Sequence, residues 1–417
     1  MVKNKSILLV AYYFPPLGMG GTGRPYALFR YLPEHGFNVY ILTVKNILYP
    51  EYDYSLLQDE DSNRIIRTGS FDPARILYLL GLRKQKGTAF PRLAKSLPLY
   101  FPDLKRGWNM FAWRRVRNII RENDISALIT TAPPPSIHLL GLKTKKSFEI
   151  PWIADFRDYW FPLPIEQVYS PGLMQSYAFN LKNDIVSRAD EVVSVNNDIR
   201  RYYGRGEVIM NGAEPSSAEV WRKTVKEKDD RLIIGAMGTF NYLFPIEPLF
   251  KAVRILLDKG MISPGNMAII HVGHYDNEMR KYIDRYRLHD IVELKGYLNR
   301  ADAVASLADA DLLYLAVNKY DRYNILPGRI FDYLVSGRAV VGMVPRDSDA
   351  EKLLKEYPYG SVVTDYDAEK LSDVIYQSCR DKEQVSGRTE DIIIDTDKYT
   401  MKGLAAKYAA VLNRLIR

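Results

Sequence analysis

The chain has 417 residues, 47% hydrophobic and 26% charged, with a formal net charge of +8. This length exceeds one ordinary core and fits two domains of about 200 residues each, and the composition excludes a disordered or fibrous chain. The single cysteine, Cys379, excludes an intrachain disulfide. No Cys/His cluster has metal-ligand spacing, and a reducing, cytoplasmic compartment is expected.

In chain order, Lys3 and Lys5 precede the apolar run Ile7 to Phe14. Pro15-Pro16 and a glycine loop follow with no small-residue cleavage site, so the run reads as a buried first strand and not as a signal peptide. No apolar stretch reaches the roughly 18 residues of a membrane span. Further strands are predicted at Val39–Thr43, Ser126–Thr130, Trp152–Asp155, Glu191–Val195 and Glu207–Met210. Helices are predicted at Arg24–His35, Trp108–Glu122, Ser136–Lys146 and Gly172–Arg188. Residues 214–230 are polar, carry no strand signal and are expected to be a linker. The pattern then restarts, with strands at Leu232–Met237, Met267–Val272, Val292–Leu294, Asp311–Leu315, Ala339–Met343 and Ser361–Val363. Helices near Ile246–Lys259, Asn277–Arg287, Ala301–Ala308, Arg329–Ser336, Ala350–Glu356 and Glu369–Arg380 separate them. Alternating helices and near-continuous apolar strands imply an α/β chain with two doubly wound parallel sheets. The expected domains are residues 1–213 and 231–395. A final helix within 396–417 is expected to pack back towards the first domain.

Charge is unevenly spread. Between Arg75 and Arg121, twelve Lys or Arg stand against one acid, Asp103, a surplus larger than that of the whole chain. The same stretch carries Tyr78, Phe90, Tyr100, Phe101, Trp108, Phe111 and Trp113. It reads either as contact with an anionic membrane surface or as a solvated basic face over core aromatics. Nucleic acid is not an expected partner, because the second half has no basic stripe to extend the footprint.

Open parallel sheets bind ligands beyond the carboxyl ends of their strands, so the candidate residues are those just after strands. Gly18 to Gly23 follow the first strand and lead into a helix, where glycines admit a ligand and a helix N-terminus attracts phosphate. The run fits G-x-G-x-x-G. However, five residues separate strand and glycine, and no acid ends the second strand, which argues against dinucleotide binding. Ser136 is a plausible helix N-cap, and His138 lies in the following first turn. Asp155, Arg157 and Asp158 end an apolar strand, where charges cost desolvation unless they are paired or liganded. Gly238 and Thr239 leave space after the first strand of the second domain. Arg329 stands at a helix start, where a shared anionic ligand would offset its unfavourable dipole interaction.

The segments Ile7–Arg24 (ILLVAYYFPPLGMGGTGR), Leu28–Thr43, Pro151–Trp160 and Leu326–Gly342 (LPGRIFDYLVSGRAVVG) together resemble the family 4 retaining glycosyltransferases of bacterial cell-surface polysaccharide synthesis. The resemblance implies the GT-B fold, with two Rossmann-like domains facing across a cleft. It implies a nucleoside-diphosphate sugar as donor and a glycan or lipid-linked acceptor, with neither metal nor cofactor. It places Gly20, Gly21, Gly238, Thr239, Asn324, Arg329, Ile330 and Asp332 at the donor, and Asp155, Arg157, Asp158 and His138 at the catalytic, acceptor-facing side. Three positions depart from the family pattern. Asn241–Ile246 lacks the usual basic pair, Asp332 stands for Glu, and Asn324 stands for a second Glu. A nucleotide-sugar epimerase of the same fold and a non-catalytic relative remain open. The enzyme is expected in the cytoplasm, at the inner membrane face if the basic stretch binds lipid.

Overall fold

The computed structural model describes residues 5–18, 21–54, 57, 63–82, 101–160, 173–223, 231–241, 244–317, 326–385 and 396–416. Its contacts divide the chain into two units. One comprises Met1–Met210 with Met401–Arg417, the other Asn211–Thr400.

In the first unit, β1 (Lys5–Ala11), β2 (Phe37–Val44), β3 (Ile65–Thr68), β4 (Ile125–Ala132), β5 (Trp152–Phe156), β6 (Glu191–Ser194) and β7 (Glu207–Val208) form one parallel sheet of order 3-2-1-4-5-6-7. Successive side chains of a strand face opposite sides, and β1 divides its apolar residues accordingly. Ile7, Leu9 and Ala11 pack with Phe29 of helix α1 (Gly23–Tyr31) and with Leu404 and Tyr408 of the C-terminal helix Met401–Leu415. Leu8, Val10 and Tyr12 pack with Trp108, Val116 and Leu140, on and beside α3 (Asn109–Glu122) and α4 (Ile137–Phe148). Burial on both faces explains why β1 reads as a continuous apolar run.

Three elements of this unit differ from expectation. The edge strand β3 is short and carries Arg67. Helix α2 (Pro73–Leu79) was hidden by its length, although Asp72 caps it by accepting a 3.1 Å hydrogen bond from the Arg75 amide. A further short helix, Asn197–Tyr203, is capped by Asn196.

In the second unit, β8 (Leu232–Met237), β9 (Met267–Val272), β10 (Val292–Leu294), β11 (Leu312–Ala316), β12 (Ala339–Met343) and β13 (Gly360–Val363) form a parallel sheet of order 10-9-8-11-12-13. Residues 214–230 do not begin as a linker. Pro215–Lys223 is a helix that packs on the helix Arg300–Ser306. Among its described side chains Ser217, Ala218 and Trp221 are buried, with Trp221 four and three positions after the other two on one face. The charged residues around them, Glu219, Arg222 and Lys223, obscure this periodicity in the sequence. Residues 224–230 lie outside the described set.

The strand order reverses between β1 and β4 in one sheet and between β8 and β11 in the other. These are the switch points at which open α/β sheets hold ligands.

Candidate functional site

At the first switch point, the residue that organises the loops is Arg24, in the first turn of α1. Its Nε donates to Asp155 Oδ1 and Oδ2 at 3.1 and 2.9 Å, and its Nη2 donates to Oδ1 at 2.9 Å. Nη2 also donates to the Tyr408 hydroxyl at 2.9 Å, and Nη1 to the Met210 carbonyl at 3.2 Å. Thr131 completes the Asp155 shell with a 2.6 Å hydrogen bond. Burial alone would raise the Asp155 carboxyl, but the Arg24 guanidinium and the Thr131 hydroxyl hold it below the ordinary carboxylate range. The charge at the end of β5 is therefore paired internally, with a partner 131 positions away.

Arg157 is half-buried and binds two carbonyls. Nε donates to Ala132 at 2.6 Å and Nη1 to Gly21 at 2.7 Å. It thus ties the loop after β1 to the end of β4. Asp158 is exposed beside it. Met19 and Gly20 lie outside the described residues.

Ser136 does not cap α4 with its side chain. Asp103 competes successfully for it, accepting from the Ser136 amide at 2.6 Å and from its hydroxyl at 2.9 Å. His138 is fully buried, with its ring 4.2 Å from that of Phe156. Its Nδ1 lies 2.8 Å from Thr130 Oγ1, which also accepts the Trp152 indole N–H at 2.8 Å. The hydroxyl's own proton is best used towards Nδ1, which assigns the imidazole proton to Nε2. Nε2 has no partner among the described residues. Burial lowers the His138 pKa to about 3, so the ring is neutral at physiological pH.

Beside this network, Tyr13, Ile47, Leu48, Tyr49, Pro73, Leu104 and Lys105 enclose a cavity of about 200 Å³. The Tyr13 and Tyr49 rings lie 5.8 Å apart. Lys105 Nζ bonds buried Asp72 at 3.2 Å.

The second switch point gathers Gly238, Thr239, Arg329 and Asp332. Arg329 Nη1 donates to the Met237 carbonyl at 2.6 Å and Nη2 to the Thr239 carbonyl at 2.9 Å. The guanidinium also lies over the Phe240 and Phe244 rings, at 4.7 and 5.1 Å. Backbone dipoles and aromatic faces thus satisfy the cation whose helix-start position looked unfavourable.

This packing requires glycine at two places. Gly238 has φ +96°, and a Cβ there would stand 3.1 Å from Arg329 Cζ. Gly273, at φ +150°, would place a Cβ 2.4 Å from the Gly238 carbonyl oxygen. That oxygen lies 3.0 Å from His271 Nε2. Burial lowers the His271 pKa, and its Nδ1 is buried without a partner among the described residues.

Asp332 is buried, and Arg300 reaches its Oδ1 through Nε and Nη2 at 3.1 and 2.8 Å. Ile330, on the same helical turn, is wholly buried and serves as packing. Asn324 lies outside the described residues. Arg24, Arg300, His271 and Gly273 were not singled out from the sequence. Only Gly273, closing the apolar strand Met267–Val272 as Gly238 closes β8, carried a local signal. Among the described residues, no group of three or more His, Cys, Asp or Glu could hold a metal ion, and no helix is long and apolar enough to cross a membrane.

No protein-family profile matches the sequence, and no curated protein does. Solved structures do match over the whole length. HepE of Anabaena, in complex with UDP, superposes with a TM-score of 0.63 at 14% identity, covering 99% of this chain and 100% of its own. Sucrose-phosphate synthase from Thermosynechococcus elongatus gives a TM-score of 0.62 at 14% identity, covering 99% of both chains. A UDP-N-acetylglucosamine 2-epimerase candidate from Listeria monocytogenes gives 0.52 at 12% identity, covering 98% of this chain and 95% of its own. The chain shares the two-domain GT-B fold of these proteins.

Proposed function

We propose that the protein is a glycosyltransferase that moves a sugar from a nucleoside-diphosphate donor to a glycan or lipid-linked acceptor, with retention and without a metal ion. The second unit holds the donor and the first the acceptor. The observation that carries this reading is the placing of Arg329 and Asp332 on one helical turn at the β8–β11 switch point. Whole-length likeness to nucleotide-sugar enzymes, one solved with UDP, supports it.

Two of the five Arg329 donors are used by carbonyls, and the rest suit a diphosphate oxygen. Because those carbonyls fix the guanidinium in advance, it meets the charge of the departing diphosphate without reorganisation. Asp332, held in place by Arg300, accepts from ribose hydroxyls. Gly238 and Thr239 make room for the donor, and Asn324 binds a sugar hydroxyl. On the acceptor side, Arg157 and Asp158 present the loop after β5, while Asp155 and neutral His138 support it from below. The acceptor side also contacts an anionic membrane through residues 75–121.

A thermal-shift panel of nucleoside diphosphates, their sugar conjugates and NAD(H), run in EDTA, tests this. A ligand at about 100 times its Kd stabilises by about 2.7 kcal/mol. Stabilisation by one nucleoside diphosphate, lost in Asp332→Ala and Arg329→Ala, is expected. Stabilisation by NAD(H) alone, or an activity that needs added manganese, would overturn the proposal. The Listeria likeness keeps one rival reading, epimerisation, which would give an altered nucleotide sugar with no acceptor present.

A further inference from the structure

Asp332 and Arg300 form a pair with unequal access to solvent. The Asp332 side chain is 5% exposed and that of Arg300 38%. Two separate helices bring them together. Asp332 lies on Arg329–Leu334, which follows β11 in the chain, and Arg300 opens Arg300–Ser306, which follows β10. Asn299 caps the second of these, accepting from the Asp302 amide at 3.0 Å. The capped turn fixes where the Arg300 side chain leaves the backbone. The guanidinium therefore stands between the carboxylate and the solvent.

The hydrogen bonds between them are lopsided. Arg300 gives both Nε and Nη2 to the same oxygen, Oδ1, at 3.1 and 2.8 Å. A fork that met the carboxylate squarely would use both oxygens. Oδ2 has no hydrogen-bond partner among the described residues, and neither has Nη1. An unused oxygen on a carboxylate this buried calls for a partner. The pair thus presents one open acceptor beside one open donor group. What fits there is neutral. The two charges cancel, so the pair has little attraction for a phosphate, which falls to Arg329 one turn before Asp332. A hydroxyl both donates and accepts, and two adjacent hydroxyls match an acceptor and a donor side by side. In a nucleoside diphosphate the ribose diol stands across the ring from the 5′-diphosphate, which suits Arg329 and Asp332 on successive turns.

We propose that Arg300 and Asp332 together read the ribose diol, Oδ2 accepting from one hydroxyl and Nη1 donating to the other, so that the site takes ribonucleotides and rejects deoxy forms. Asp332 does not serve both hydroxyls alone, because Oδ1 is occupied by Arg300 and one oxygen is left. The proposal rests on the second unit holding the donor. To that reading it adds a second ribose-binding side chain and a class of nucleotide.

Isothermal titration calorimetry of the full chain with UDP, GDP, ADP and CDP, with the 2′-deoxy and 3′-deoxy forms of each, and with dTDP tests it. The ribonucleotide that binds should lose about tenfold or more in affinity when either hydroxyl is removed, since each bond is to a charged group. Arg300→Ala should weaken that ribonucleotide by a similar factor. It should erase the preference at one hydroxyl and keep it at the other, whereas a role confined to holding Asp332 would weaken both preferences together. Arg300→Lys keeps a cation beside Asp332 and guards against a variant that fails to fold. Without the fork that reaches past the carboxylate, it should lose the same preference. Equal affinity of the parent for ribose and deoxyribose forms, tightest binding of dTDP, or parallel loss of both preferences in the variants would overturn the proposal and leave the donor site in place. A parent that binds none of these nucleotides would overturn the donor reading itself, and the diol reading with it.

Discussion

Arg24 and Asp155 are joined by three hydrogen bonds of 2.9 to 3.1 Å, and both side chains are buried. Removing one partner strands the other charge, at a cost of about 3–5 kcal/mol. Arg24→Met and Asp155→Asn should therefore lower the denaturation midpoint strongly. An apolar double replacement should recover part of the loss. Chemical denaturation of the three variants measures this, and additive losses would contradict the pairing.

His138 should make stability depend on pH. Its folded pKa of about 3 lies below the ordinary value of 6.5. The unfolded chain therefore binds the extra proton first, so stability is full above pH 6.5 and is lost as pH falls towards 3. The loss from this group is roughly 3 kcal/mol at pH 4. Urea titrations across this range should show a shallower slope for His138→Gln than for the parent. Identical slopes would mean that another group titrates.

Gly273→Ala and Gly238→Ala should each destabilise by more than about 1 kcal/mol, since alanine resists positive φ and both Cβ atoms meet fixed neighbours. Both should also reduce the thermal response to nucleoside diphosphate, because Arg329 is seated on this turn. A variant that melts early yet binds normally would separate the turn from the proposed donor site.

Trp221 distinguishes a linker from a packed helix. Its side chain is buried in the second unit, and Trp→Ala at such a site costs about 3–5 kcal/mol. A neutral Trp221→Ala melt would restore the linker reading.

The legible parts of the chain were those fixed by local pattern. β8, β9 and β12 have the bounds expected from their sequences, because strands buried on both faces leave unbroken apolar runs between turn residues. Short elements such as β3 and α2 offer too few residues for a period to emerge. Pairing was illegible for a different reason. Arg24 meets Asp155, and Arg300 meets Asp332, across 131 and 32 positions, and no local rule links them. The basic stretch was visible as charge. Which of its apolar residues face solvent depends on packing, and Trp108 proved to be core while Leu80 did not.

The C-terminal helix has a consequence for how the chain is made. Tyr408 bonds Arg24 and lies in the same core as Leu9. During vectorial synthesis the first unit therefore waits, one layer short, until the whole of the second has emerged from the ribosome. Until then the Arg24–Asp155 pair lacks part of its cover, and a chain halted before Met401 would carry an open apolar face for chaperones or proteases to find.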